Sequence, residues 1–259
     1  VGKLPLSKVT AKRVIDYMAH RREKGMAPAT CNNERSVLSK ILSIAVDWDL
    51  LRPDANPMRK VPKFEALNQK NRWLTPEEQC ALIGAASGHV RDTIILALGT
   101  GARRGEALAL RWESVDLERA EVSFTADTTK SGKTRTIPAN DAVLAMLKAR
   151  LAGRREQGRF ISNVFTYRGK PIKSIHAGFR TACAAAGLGR DVTFHTLRHT
   201  FCTRFGHAGG NIRDLQALAG HADISTTQRY YHRSDSAARI LGTMAHDLAA
   251  PGRKAPTAG

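Results

Sequence analysis

Apolar positions recur at helical spacing from the start of the chain. Val9, Val14, Ile15 and Met18 predict a first amphipathic helix. Gly25 and Pro28 interrupt it, and Thr30 is placed to cap the next helix. A second stripe, Val37, Leu38, Ile41, Leu42, Ala45 and Val46, predicts a helix from near Asn33 to Trp48, stopped by Pro53, Asn56 and Pro57. From Met58 to Arg72 the chain turns basic, polar and Pro-interrupted, with little periodicity. That pattern predicts a small helical domain over residues 1–66 and a linker over 67–72.

A stronger signal opens the next domain, predicted over 73–250. Thr75-Pro76-Glu77-Glu78 offers an N-cap, a proline at the first helical position and a capping-box glutamate. A helix to about Ala86 comes next, and another from Arg91 to Gly99. Gly99-Thr100-Gly101 breaks the pattern before helix resumes over Glu106 to Leu110. Val122 to Ala126 and Thr134 to Pro138 read as two short strands joined through Lys130-Ser131-Gly132-Lys133. Further helices are predicted at Ala142–Leu151, Ile175–Ala186, Thr196–His207, Ile212–Ala219, Thr226–His232 and Ala237–Leu248. Residues 251–259 read as a frayed tail. The fold class is therefore mainly α with a small antiparallel β element (α+β), without internal repeats.

Composition narrows the function. The 259 residues carry 41 Lys and Arg against 23 Asp and Glu, a net charge of +18. With 42% hydrophobic residues the chain is globular, not a disordered polycation. No apolar run is long enough to span a membrane, and no secretory h-region opens the chain. Cys31, Cys80, Cys183 and Cys202 form no CxxC pair, which argues against a disulfide framework and suits a reducing, cytoplasmic setting. The usual partner of such an excess charge is nucleic acid phosphate. Residues 1–72 hold 15 basic and 7 acidic side chains, the remainder 26 and 16. Neither part is balanced, so both are expected to face the polyanion.

The candidate chemistry is cationic. In the second domain the acids are mostly isolated and no DxD or paired-glutamate cluster stands out, which disfavours a two-metal phosphodiesterase. His195 and His199 have the i, i+4 spacing of a zinc helix, but the glutamate of HExxH is missing and Arg198 lies between them. No metal or other cofactor is expected. Arg103 and Arg104 come just after a glycine-rich break, Lys130 sits in the hairpin turn, and His195 and Arg198 share a helical face. His221 comes after a helix-capping glycine, with Tyr230 and Tyr231 nine and ten residues on. Arginines bind phosphate oxygens bidentately, Lys and His move protons, and a tyrosine hydroxyl can be a covalent nucleophile. Together they supply what phosphoryl transfer without a metal needs.

Four boxes in this order resemble the tyrosine recombinase, or phage integrase, family. Thr100-Gly-Ala-Arg103-Arg-Gly-Glu106 is similar to the family's TGxRxxE box, and Lys130-Ser-Gly-Lys-Thr-Arg135-Thr-Ile-Pro138 to its β-hairpin box. His195-Thr-Leu-Arg198-His199 is similar to HxLRH. Leu218-Ala-Gly-His221 and then Ser225-Thr-Thr-Gln-Arg-Tyr230 are similar to LxGHxxxxTTxxY. The resemblance covers almost the whole chain, so the first domain is expected to be a core-type DNA-binding domain and the second the catalytic one.

The resemblance implies a site-specific DNA recombinase that integrates or excises a mobile element through a 3′-phosphotyrosyl intermediate. Arg103 and Arg198 would bind the scissile phosphate, Lys130 would protonate the leaving 5′-oxygen, and His195 would act as general base or phosphate ligand. His221 would hydrogen-bond the phosphate and Tyr230 would attack it. Glu106 and His199 would support the site. Lys133 stands as a second candidate acid and Tyr231 as a second candidate nucleophile. Double-stranded DNA core sites, a homotetramer on DNA and accessory DNA-bending proteins are the implied partners, without a membrane. The apolar stripe Ala237, Ile240, Leu241, Met244 and Leu248 would pack on its own domain or dock in trans on a neighbouring protomer. The chain starts at Val1 directly with the core-binding lobe, so an arm-binding domain is either missing or never present. Arg104 stands where relatives commonly carry an apolar residue. Two other readings share these residues: an inactive DNA-binding accessory relative, and a type IB topoisomerase-like nicking-closing enzyme.

Overall fold

The structure, a computed structural model, describes residues 4–65, 72–127, 129, 132–156 and 161–231. The chain divides into two compact units, Val1–Lys70 and Asn71–Gly259. The expected helix over 237–248, the tail and most of the linker lie outside the described residues.

Two helices make the first unit, α1 (Ala11–Glu23) and α2 (Pro28–Asp47). Thr10 caps α1 by accepting from Arg13 N. The start of α2 differs from expectation. Pro28 begins it, with Ala27 as N-cap, and Thr30 lies inside the helix. The reason is that proline at the first helical position loses no hydrogen bond, so it starts a helix as readily as it ends one. Val14, Met18, Cys31, Leu42, Met58 and Val61 form the core. The predicted stripe on α2 is only partly buried: Leu42 is fully covered, whereas Val37 is 61% and Ile41 50% exposed. Arg35 donates to the Met58 and Val61 carbonyls, which folds the 3-10 turn at Pro57–Lys60 back onto α2.

The second unit contains α3 (Pro76–Ala85), α4 (Gly88–Thr100), α5 (Arg104–Ala109), α6 (Asp141–Glu156), α7 (His176–Ala185), α8 (Phe194–His207), α9 (Ile212–Ala219) and α10 (Ile224–Gln228). The capping box at Thr75 and Glu78 forms as its sequence predicts. Strands β1 (Val115–Asp116), β2 (Glu121–Phe124) and β3 (Arg135–Pro138) make one antiparallel sheet, and β4 (Thr166–Tyr167) pairs with β5 (Lys170–Pro171). The two longer strands, β2 and β3, are those expected to within two residues, registered Val122 to Ile137 and Phe124 to Arg135. The other three are two residues long, too short for alternation to show in a sequence. Helix α10 starts two residues before the expected Thr226–His232 and ends at Gln228, with His232 outside the described residues.

The core runs from Leu74 through α4, the sheet and α6 to Leu197 on α8. Helix α8 packs against α4 and carries buried side chains on almost every face. Its polar core residues are satisfied: Thr200 Oγ1 donates to Thr196 O and accepts from Leu74 N. A smaller cluster of Cys202, Leu215, Ala219 and Tyr230 lies where α8, α9 and the residues after α10 meet. No helix among the described residues is long and apolar enough to cross a membrane.

Candidate active site

Two helix ends converge on one buried guanidinium. Arg198, on α8, is only 2% exposed. A buried guanidinium is costly unless its donors are used. Its Nη1 donates to Gly101 O at 2.8 Å and its Nη2 to Ala219 O at 2.6 Å. Both carbonyls close helix C-termini, α4 and α9, where orphan acceptors and the negative dipole end favour a cation. Gly101 has φ of 66°, and a Cβ there would sit 2.5 Å from the Phe201 ring. Only glycine makes that turn. Burial lowers the Arg198 pKa to about 10, so it stays charged at neutral pH.

Arg103 is the N-cap of α5. Its Nη1 donates to Glu106 Oε1 at 2.7 Å and its Nη2 to Gly220 O at 3.1 Å. Glu106 is 1% exposed. It also accepts from Arg103 N at 2.8 Å and from Arg135 Nη2 and Nη1 at 2.6 and 3.2 Å. Burial alone would raise its pKa, but the hydrogen bonds from Arg135 and Arg103 outweigh this and hold it at about 2. Glu106 is thus an anion that organises two arginines.

Facing these cations are three histidines and a tyrosine. His195 and His199, one turn apart on α8, meet edge to face at 4.5 Å. His199 Nδ1 lies 2.6 Å from the Tyr230 hydroxyl. The His221 ring is stacked with Tyr230, centroids 6.2 Å apart and planes 8° apart, and its Nδ1 hydrogen-bonds Thr227 Oγ1 at 3.0 Å. Burial, then neighbouring cationic groups, push His199 and His221 down to about 4. His195, at the open edge, is lowered by partial desolvation and by Arg198 and Arg103. Neutral imidazoles beside a tyrosine can accept protons. Burial pushes the Tyr230 hydroxyl up, with Cys202 beside it adding to the rise and Arg198 opposing it. Tyr231 points elsewhere: its hydroxyl donates to Gly210 O at 2.7 Å.

Against this cluster opens a cavity of about 840 Å³, lined among others by Arg103, Arg104, Arg180, Arg190, His195 and Arg198. Among the described residues no carboxylate lines it. The space attracts anions, and the buried Arg198 acts there with little screening.

The structure therefore brings together Arg103, Glu106, His195, Arg198, His199, His221 and Tyr230 from segments distant in sequence. Lys130 lies outside the described residues. Lys133 is exposed, and its carbonyl accepts from Thr129 Oγ1 at 2.9 Å. The sequence pattern alone assigns no role to Arg135 or Thr227. Arg135 had a signal: strand alternation puts it on the face of buried Ile137, an unusual place for a charge. Thr227 lies in the stretch similar to TTxxY, but its partner, His221, is set by the turn after α9.

Residues 72–237 match the phage integrase family. The integrase of Escherichia phage P2 is 30% identical over 224 residues, which are 86% of this chain and 61% of that protein. The shufflon-specific DNA recombinase of Escherichia coli is 31% identical, with 82% of this chain and 53% of that protein covered. The chain thus spans less than two thirds of the length of these relatives. Among solved structures, the Tn1549 transposon integrase in complex with a circular intermediate DNA shares the fold with a TM-score of 0.78 at 24% identity, over 93% of this chain and 87% of that one.

Proposed function

Because this chain belongs to the phage integrase family, we propose that it is a tyrosine recombinase that cuts and rejoins double-stranded DNA through a covalent bond to Tyr230. The observation that carries this reading is the Tyr230 hydroxyl. It is held at 2.6 Å by an uncharged imidazole, within a cluster that also holds two arginines bound to helix ends. The first unit serves as the core DNA-binding domain and the second as the catalytic domain. The charge of +18 supplies the phosphate contacts on both.

The geometry sets the chemistry. A scissile phosphate in the cavity takes its hydrogen bonds from Arg103 and Arg198. Each has five N–H groups, of which only part are spent on protein acceptors. The Tyr230 oxygen attacks phosphorus and the bond to the 5′-oxygen breaks. The tyrosine pKa is raised while His199 and His221 sit near 4 and His195 is lowered too, so its proton does not leave in a separate step. It moves to the imidazoles, His199 in contact and His195 behind it, as the new P–O bond forms and the phosphate charge raises their basicity. His221 donates to a phosphate oxygen. Lys130, or Lys133 in its place, protonates the departing 5′-oxygen. The phosphotyrosine keeps the energy of the broken bond, and a 5′-hydroxyl from another strand reverses the step. This reading calls for neither a metal ion nor a nucleotide cofactor. Integration or excision of a mobile element by a tetramer, with accessory bending proteins, completes the proposal.

The test uses nicked suicide duplexes tiled across the DNA that flanks the coding locus. Wild-type protein is expected to form a protein–DNA adduct stable to denaturation. Tyr230→Phe abolishes it and Tyr231→Phe preserves it. The reverse pattern, or no adduct with any duplex, overturns the reading. Relaxation of any supercoiled plasmid, without exchange between sites, would instead mark a nicking-closing enzyme.

A further inference from the structure

We infer that Arg135 is a positioning residue of this site: it keeps Arg103 electrostatically available to phosphate and ties it to the helix end that carries His221. The inference rests on the recombinase reading. Arg135 opens β3 and is 8% exposed at its side chain. It lies over the Phe124 ring at 4.8 Å, and its Nε donates to Leu218 O at 2.9 Å, in the last turn of α9. The approach is close: a Cβ on Gly220, next to His221, would sit 3.2 Å from Arg135 Cδ and Nη1. One guanidinium thus spans Glu106, on α5, and the end of α9.

Glu106 shows why this matters for Arg103. Each carboxylate oxygen is shared: Oε1 takes Arg103 Nη1 and Arg135 Nη1, and Oε2 takes Arg103 N and Arg135 Nη2. Two guanidinium charges face one carboxylate, so the trio keeps a net positive charge beside the cavity. Without Arg135 the remaining pair is neutral, and Glu106 is free to close on Arg103 with both oxygens. The phosphate would then compete with a carboxylate for the same donors. A fold-stabilising ion pair alone would not have this consequence.

The experiment measures, on a duplex that the wild-type protein captures, the covalent-capture rate at saturating DNA and the Kd separately. Arg135→Met is expected to lower the saturated rate roughly 10- to 100-fold, as for loss of a transition-state donor, while Kd stays within about threefold. Arg135→Lys, which keeps the charge but reaches fewer acceptors, recovers part of the rate. Adding Glu106→Gln to Arg135→Met removes the competing charge and raises the rate above that of Arg135→Met alone. A saturated rate for Arg135→Met within about threefold of wild type overturns the inference, as does a double variant no faster than Arg135→Met. Should Arg135→Met fail to fold, Arg135→Lys decides: a wild-type rate overturns the inference, a reduced rate at unchanged Kd supports it. Absence of any adduct with wild-type protein overturns the recombinase reading and this one with it. Wild-type capture with an undiminished Arg135 variant overturns this one alone.

Discussion

Glu34 and Glu106 each receive a bidentate arginine. In the first unit Arg21 gives Glu34 its Nε and Nη2 at 3.0 and 2.5 Å, and the Tyr17 hydroxyl adds a third bond at 3.0 Å. In the second, Arg135 and Arg103 surround Glu106. The atoms match and the surroundings do not. The Arg21 and Glu34 side chains are 29% and 28% exposed, whereas Glu106 is 1% exposed. Water screens the first cluster, which joins α1 to α2 and does little else. In the second, Glu106 and Arg135 are shielded from water at 1% and 8% exposure while Arg103, at 26%, keeps a side open to solvent, so breaking a partner leaves the buried pair with the full cost of burial. The same pairing is thus a helix clip in one unit and the electrostatic frame of the candidate site in the other.

The sharpest way to break this comparison is Glu106→Ala. It leaves Arg135 and Arg103 without their anion and is expected to cost about 3–5 kcal/mol, read from urea unfolding of the second unit. A loss below about 1 kcal/mol would mean that the buried cluster behaves like a surface one. Acid tests the same carboxylate. Its folded pKa of about 2 lies below the unfolded 4.5. Its contribution, on the order of 3 kcal/mol, is therefore present above pH 4.5 and lost as pH falls toward 2. His199 and His221 act earlier. Their folded pKa of about 4 lies below 6.5, so the unfolded chain takes up protons first and stability declines from pH 6.5 to 4. The melting temperature of wild-type protein should drop in these two stages, and Glu106→Ala should flatten the lower one. A single-stage acid transition in wild type would contradict it.

A smaller effect is expected at the Thr75 capping box. Thr75→Ala removes the acceptor for Glu78 N and should cost about 1 kcal/mol, without changing DNA capture. The smallest belongs to Glu34→Gln. Its unfolding midpoint should move less than that of Thr75→Ala and move less still at high salt. A larger shift from Glu34→Gln than from Glu106→Ala would invert the comparison.

Much of the frame was legible from the chain itself. Thr75 to Glu78 announced a capped helix, and the apolar periodicity of α8 and α9 placed His195, Arg198 and His221 near helix ends. Val122 to Ile137 read as a hairpin because its strands alternate. Elsewhere the signals were weaker. Proline at position 28 fits both an end and a start, and only packing chose the start. The stripe on α2 marked a helix correctly, yet Val37 and Ile41 remain exposed because periodicity records an apolar face and not what covers it.

The sequence by itself determined the helices, the central hairpin and the chemical kinds available to the site: guanidinium, imidazole and phenol in a fixed order. These are local or compositional facts, set by spacing and side-chain chemistry. Only the tertiary structure decided how they pair. It turned Tyr230 toward His199 and Tyr231 toward Gly210, although the two are neighbours in the chain. It also brought Arg135 to Glu106 across 29 residues and to Leu218 across 83. Such contacts depend on the approach of distant helix ends, where unpaired carbonyls and a buried carboxylate require donors, and no local pattern encodes which arginine will supply them.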